Sequence, residues 1–505
     1  MLALFRNQPR AFYMIFMLEI WERFGFYTVQ GILTLYFIRF LGYDDQTAYY
    51  TFGAFSALVY GMVALGGYLG DKILGTKRTI ILGLFTLSAG YLALSLASRE
   101  YVFEALGLIC VGNGLFKANP SNLLSKCYKE HDPRLHGGFT LYYMAVNLGS
   151  TIALFIGPSI STAYGYPYAY FLSFIGLLFG LINYWYQRGH IASISTYADQ
   201  KSISIVQWGM VIAGIIFATY LSAYLLQHVM IAKNILWVII AFVMMVYLMY
   251  MRREKKTVVL RMTVALVLMF EAIIFFVLYQ QMPTSLNLFA VNNVYPTLLG
   301  VTIDPQSFQA LNPIWIIFMS PLLAKLYETL HHKNILFPMP YKFAAGMTLC
   351  GLSFLVLYFP RFFHNEFGMV SSWWLIASYF FQSVGELMVS ALGVAMVAEL
   401  VPVHITGFVM GMFFLTPAIA GFVGAYVASF TALPENLQSG VGSLYIYTEV
   451  FSYIGLATLG IAVVMWLTAP YLIRLTGVRY TEPKANELDE LCEEDDLKEA
   501  GIVSS

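Results

Sequence analysis

Long apolar runs alternate along the chain with short segments rich in Lys, Arg, Asp, Asn, Gly and Pro. A helix needs about 20 mostly apolar residues to cross a bilayer. Fourteen runs reach that length: 11–40, 47–70, 78–98, 101–126, 137–163, 167–187, 205–227, 234–251, 259–290, 308–330, 341–359, 371–400, 403–431 and 444–474. The pattern predicts an all-α membrane protein, because a helix satisfies its own backbone in hydrocarbon. The N-terminus runs straight into a charged span, unlike a signal peptide, so no cleavable signal is expected.

The polar segments predict orientation. Lys and Arg collect in cytoplasmic loops. With the N-terminus inside and strict alternation, 22 of the bases fall in cytoplasmic segments and four (Arg39, Arg99, Lys233, Arg361) in outer ones. A miscounted span would scramble that asymmetry, so both termini are expected in the cytoplasm. The segment 476–505 is acidic and reads as a solvated cytoplasmic tail.

Composition agrees. The 505 residues are 59% hydrophobic and 11% charged, against about 25% charged in a soluble domain, which excludes a soluble fold. Zero net charge gives no reason to expect a nucleic-acid partner. Cys110, Cys127, Cys350 and Cys492 have no metal-ligand spacing and read as reduced and structural.

Charges inside a span cost on the order of 2.5–3.5 kcal/mol each on insertion scales, and persist where they pair or line a cavity. Glu19, Glu22 and Arg23 share one helical face of the first span. Two acids and one base leave one acid uncompensated, a natural proton carrier. Lys117 in the fourth span and Glu386 near the middle of a later one suggest a pair across a central cavity. Glu271 has no obvious partner, and a structural role suits it as well as a functional one. Asn113, Asn119, Asn147, Gln280, Gln281, Ser285, Asn287, Gln309, Asn312 and Gln382 could line a wet path for a zwitterionic solute or make scattered interhelical hydrogen bonds. Gly112-Asn113-Gly114 follows an apolar helix rather than a strand, and Gly70 to Lys77 lacks a Gly-Lys-Ser/Thr end, so neither is a nucleotide loop. No nucleophile set, metal cluster or soluble output domain argues for an enzyme or a sensor.

Gly66 to Arg78 resembles the loop signature of the major facilitator superfamily, where an acidic residue can meet a helix N-terminus. Glu19-Ile20-Trp21-Glu22-Arg23-Phe24 resembles the ExxERF motif of the proton-dependent oligopeptide transporters (POT/PTR2). Gly114 to Ser121, Phe139 to Gly149, Gln309 to Pro313 and Gly385-Glu386-Leu387 resemble further signatures of that family, and the likeness extends to about residue 475. Within the family, the chain looks most like the bacterial di- and tripeptide permeases.

The resemblance implies a major facilitator fold: six-helix bundles at 1–190 and 258–475, a linker helix pair at 191–257 and the tail at 476–505. It implies a proton-coupled importer of di- and tripeptides in the bacterial inner membrane, working by alternating access as a monomer, with a proton gradient and no cofactor. Another zwitterion or anion, such as an amino acid or nitrate, is the alternative cargo. Arg23, Tyr27 and Lys117 would meet the peptide carboxylate, and Asn147, Asn312 and Glu386 the amino end. Tyr60, Gln281 and Ser390 are further substrate-site candidates, and Glu19, Glu22, Arg23, Lys117 and Glu386 are the proton-coupling set. Two departures stand out. Phe26 replaces a Tyr that many members carry, and Gln30 and Gln280 replace an Arg and a Glu that form a gate ion pair in many of them. Hydrogen bonds are therefore expected to hold that gate.

Overall fold

The computed structural model describes residues 5–129, 132, 134–194, 196–333, 335, 337–389, 393–434, 437 and 440–476. Ser390, Cys492 and nearly all of the acidic tail lie outside them.

The N-terminal half holds α1 (Arg10–Tyr36), α2 (Asp45–Tyr68), α3 (Thr76–Leu96), α4 (Val102–Lys117), α5 (Asn119–Ser125), α6 (Arg134–Tyr164) and α7 (Tyr166–Gln187). The linker pair is α8 (Ile205–Gln227) and α9 (Val229–Met251). The C-terminal half holds α10 (Lys256–Tyr279), α11 (Ser285–Asn293), α12 (Leu311–His332), α13 (Met339–Val356), α14 (Trp373–Val389), α15 (Gly393–Leu400), α16 (Thr406–Ser429) and α17 (Val441–Thr476). A small hairpin, β1 (Thr297–Leu298) with β2 (Val301–Thr302), caps one end.

Among the described residues, twelve helical segments are long and apolar enough to span a bilayer. Of the other two expected spans, 101–126 is divided into α4 and α5, and 371–400 holds α14 and α15 on either side of 390–392, which lie outside the described residues. The architecture is therefore the expected one of two six-helix bundles plus a linker pair. The break after α4 has a local cause. Pro120 has no N–H to give the preceding turn and its ring crowds that turn. The Asn119 amide instead donates to Leu115 O at 2.7 Å and Gly66 O at 3.3 Å. α10 ends in the same manner before Pro283. There the Gln281 amide donates to Val277 O and Gly424 O, each at 3.0 Å, and Thr284 Oγ1 to Gln280 O at 2.6 Å.

The buried apolar side chains form two cores. One runs from Ala11 to Ile191 and takes in Ala418 and Phe422 of α16; the other runs from Tyr247 to Leu472 and takes in Leu35 and Tyr49. These exchanges lie at the end opposite the base-rich loops. There Thr34 Oγ1 donates to Pro283 O at 2.7 Å, Leu433 N to Asp45 Oδ2 at 3.0 Å, and Tyr49 and Thr431 share a hydroxyl contact of 3.3 Å. Gly53 of α2 and Gly421 of α16 touch backbone to backbone, since a Cβ on Gly421 would stand 2.6 Å from Gly53 O. Nearer the base-rich end the same two helices part, and Gly61, Gly407 and Gly411 face open space. Along α2 and α16 the halves are therefore closed at one end and open at the other.

The loop at Gly66 to Arg78 corrects one expectation. Asp71 accepts from the Asn122 amide at 2.7 Å rather than meeting a helix start. The carboxylate at the start of α3 is the linker's Asp199, whose Oδ1 accepts from Lys77 N at 3.1 Å. Arg78 Nη1 returns a bond to Lys201 O at 2.9 Å, so the linker is clamped to the N-terminal half. Gly75 permits the approach: its φ is +87°, and a Cβ there would meet Asp199 Oδ1.

A Gly53→Leu change should overpack the α2–α16 contact by about 1–3 kcal/mol. Cysteine labelling at the closed end should then speed up while labelling at the splayed end slows; unchanged labelling at both ends would count against this contact as the closure.

Candidate functional site

The buried charges of α1 form one cluster. Glu19, Glu22 and Arg23 are at most 4% exposed. The guanidinium grips Glu22 through Nε and Nη2 and lies 3.3 Å from Glu19 Oε1. Tyr142 of α6 donates to Glu19 Oε2 at 2.7 Å, and Asn113 of α4 reaches Glu22 Oε1 at 3.5 Å. One guanidinium thus faces two carboxylates, with neutral donors supporting both. Arg23 also lies 5.3 Å from the centre of the Phe26 ring.

Lys117 ends α4 at the helix break, with its ammonium 3.7 Å from the centre of the Tyr60 ring. Across the bundle, Asn312 Nδ2 donates to Glu386 Oε2 at 2.7 Å and to Ser383 Oγ at 3.1 Å. Lys117 and Glu386 therefore do not pair in this state, against the sequence expectation. Each has a nearer partner on its own half: an aromatic face for the cation and an amide for the carboxylate.

Beside Glu386 lies a cavity of about 80 Å³ with a mixed wall: Tyr27, Gln30, Asn147, Asn312 and Glu386 with Tyr143, Ser150, Tyr279 and Gln309 on the polar side, and Val146, Leu154 and Met282 on the apolar side; Arg23, Tyr60 and Lys117 do not line it. Tyr143 and Asn147 continue into a second cavity of about 230 Å³ between α6 and α12. Tyr27 and Tyr279 face each other across the halves.

The structure thus brings together Glu19, Glu22 and Arg23 in one cluster, Lys117 with Tyr60, and Tyr27, Gln30, Asn147, Asn312 and Glu386 around one cavity. It does not bring Gln281 there: that side chain is fully buried and its amide serves the α10 break. Gln280 donates to Ser56 Oγ across the halves at 2.6 Å, while Gln30 lines the cavity. Tyr142, Tyr143 and Tyr279 were not singled out in the sequence; the Tyr142-Tyr143 pair inside the Phe139 to Gly149 signature was the available signal. Glu271 is buried, and its Oε2 has no hydrogen-bond partner among the described residues.

The POT family model matches residues 77–444. The chain belongs to the POT family. It is 48% identical over 478 residues to dipeptide and tripeptide permease B of Salmonella typhimurium, covering 94% of this chain and 98% of that protein. It is 47% identical over 487 residues to the Aliivibrio fischeri protein of the same name, covering 96% and 98%. Among solved structures, tetrameric PepTSo2 superimposes with a TM-score of 0.83 at 34% identity, over 92% of this chain and 99% of that one. A peptide transporter POT in complex with sulfate superimposes with a TM-score of 0.77 at 27% identity, over 92% and 96%. The POT likeness covers both halves and gives the chain the major facilitator fold.

Because Gln280 and Ser56 are neutral, the closed end of this POT protein should close equally at low and high salt when followed by distance labels. Ser56→Ala should loosen it by about 1 kcal/mol. Gln30→Arg combined with Gln280→Glu should introduce salt sensitivity. Strong salt sensitivity of the unaltered protein, abolished by changing Gln280, would contradict the assignment.

Proposed function

We propose that this chain is a proton-coupled symporter that carries di- and tripeptides into the bacterial cytoplasm by alternating access. The observation that carries the reading is the placement of opposite charges on the two halves. Cations stand on the N-terminal half (Arg23, Lys117), and a carboxylate held by an amide stands on the C-terminal half (Glu386, Asn312). A peptide is a zwitterion, with its carboxylate for the first set and its ammonium for the second. The distance between the two sets limits length. The names of the relatives support the same cargo.

In the proposed cycle Arg23, Tyr27, Tyr60 and Lys117 receive the peptide carboxylate, and Asn147, Asn312 and Glu386 the amino end. A proton on Glu22 or Glu386 releases its partner. Where Arg23 turns to the peptide, Glu19 and Glu22 lose their counter-charge, and a buried carboxylate without one is costly. Proton uptake compensates, which couples the two fluxes without a cofactor. The halves, 1–190 and 258–475, rock about this midplane site, joined by 191–257. One chain is the proposed transport unit. The base-rich end, which is the splayed one, is assigned to the cytoplasm together with both termini, following the distribution of Lys and Arg.

The test is uptake of a labelled dipeptide into proteoliposomes, with and without an inward proton gradient. Uptake should require the gradient and be competed by di- and tripeptides, but not by single amino acids, nitrate or tetrapeptides. Glu22→Gln and Glu386→Gln should each abolish gradient-driven accumulation. Full accumulation by both variants would overturn the coupling scheme, and competition by amino acids or nitrate would overturn the cargo.

A further inference from the structure

The linker pair leaves a space beside the body. α8 packs on α4, whereas α9 fully buries only Ala232 and Tyr247. Between the pair and the parted halves of α2 and α16 runs an apolar groove of about 540 Å³. Its walls include Leu58 and Leu65 of α2, Leu225 of α8, Leu236 and Ile239 of α9, and Leu415 of α16. Its floor includes Gly61, Gly407 and Gly411, each with nothing within 4 Å of where a Cβ would stand. An apolar cavity does not hold water. In a bilayer the available filler is a hydrocarbon chain.

Charge at the groove's end selects among lipids. Phe408 closes the groove toward the base-rich end, and its ring lies 5.7 Å from that of Tyr250. Just beyond Tyr250 come Arg252, Arg253, Lys255 and Lys256, all exposed. The acid among them, Glu254, is turned to His404 at 3.2 Å. A cluster of bases beside the membrane surface attracts anionic headgroups.

We propose that the groove binds one anionic phospholipid, with an acyl chain between the linker pair and α2/α16 and its phosphate on the Arg252–Lys256 cluster. Its floor lies at Gly61, Gly407 and Gly411, so bringing α2 and α16 together there would remove the groove. A lipid that binds one state better than the other shifts the balance by that difference, so this lipid favours the base-open state. Only that consequence rests on the proposed alternating access; binding itself is read without transport, so either reading can fail without the other.

The full chain in detergent would be titrated with phosphatidylglycerol or with phosphatidylcholine of the same acyl chains, and followed by native mass spectrometry and thermal unfolding. One phosphatidylglycerol per chain should be retained and should raise the unfolding midpoint. Phosphatidylcholine should be retained at least about ten-fold less, as four bases acting on one headgroup imply. Changing Arg252, Arg253, Lys255 and Lys256 together to Gln should remove the preference. Gly411→Leu, which fills the groove, should lower retention of both lipids; Leu65→Trp, at an exposed wall, serves the same purpose if Gly411→Leu does not fold. Equal retention of the two lipids, or full retention after filling the groove, would overturn the proposal. So would a dimer that buries the groove and carries no lipid.

Discussion

A charge in hydrocarbon has to be paired, and one guanidinium cannot neutralise two carboxylates. That imbalance on α1, among Glu19, Glu22 and Arg23, is the constraint around which the N-terminal half is arranged. α6 supplies the Tyr142 hydroxyl and α4 the Asn113 amide, both neutral groups that support an acid without cancelling its charge. The arrangement holds only while Arg23 stays home. In the proposed cycle a peptide carboxylate competes for it, and a proton must replace it. Coupling then follows from charge conservation in a low dielectric.

The fold converts that local exchange into a change of access. Both halves need helices that break at polar side chains, because continuous helices would leave no freed backbone and no gap at midplane. Asn119 and Gln281 satisfy the carbonyls that the breaks release, so the breaks cost little. α2 and α16 touch at Gly53 and Gly421 and part toward Gly61 and Gly411. Two stiff helices in contact at one end and apart at the other act as a lever, and such an interface has discrete packings rather than a continuum.

Much of this was legible in the sequence, for physical reasons. The span count follows from apolar run length, which the bilayer enforces residue by residue. Charges at Glu19, Glu22, Arg23, Lys117 and Glu386 stood out because hydrocarbon makes them expensive. Contacts between helices were less legible, because periodicity says nothing about which neighbour a face meets. Lys117 was expected to pair with Glu386, yet it lies on Tyr60. Asp71 was expected at a helix start, yet Asp199 holds that place from 122 residues away. Gln281 was read as a cavity residue, yet its amide closes a backbone break. A polar side chain in a span can serve solute or backbone, and only the neighbouring carbonyls decide which.

The central claim is that the two ends of the α2–α16 contact open and close in opposition when proton and peptide bind. Spin-label pairs at Leu65 and Phe408, and at Asp44 and Leu433, would report the two ends in proteoliposomes. Acidification with a dipeptide should shift the two distance distributions in opposite directions, one lengthening as the other shortens. Distances that change together, or that ignore peptide while uptake proceeds, would contradict the account.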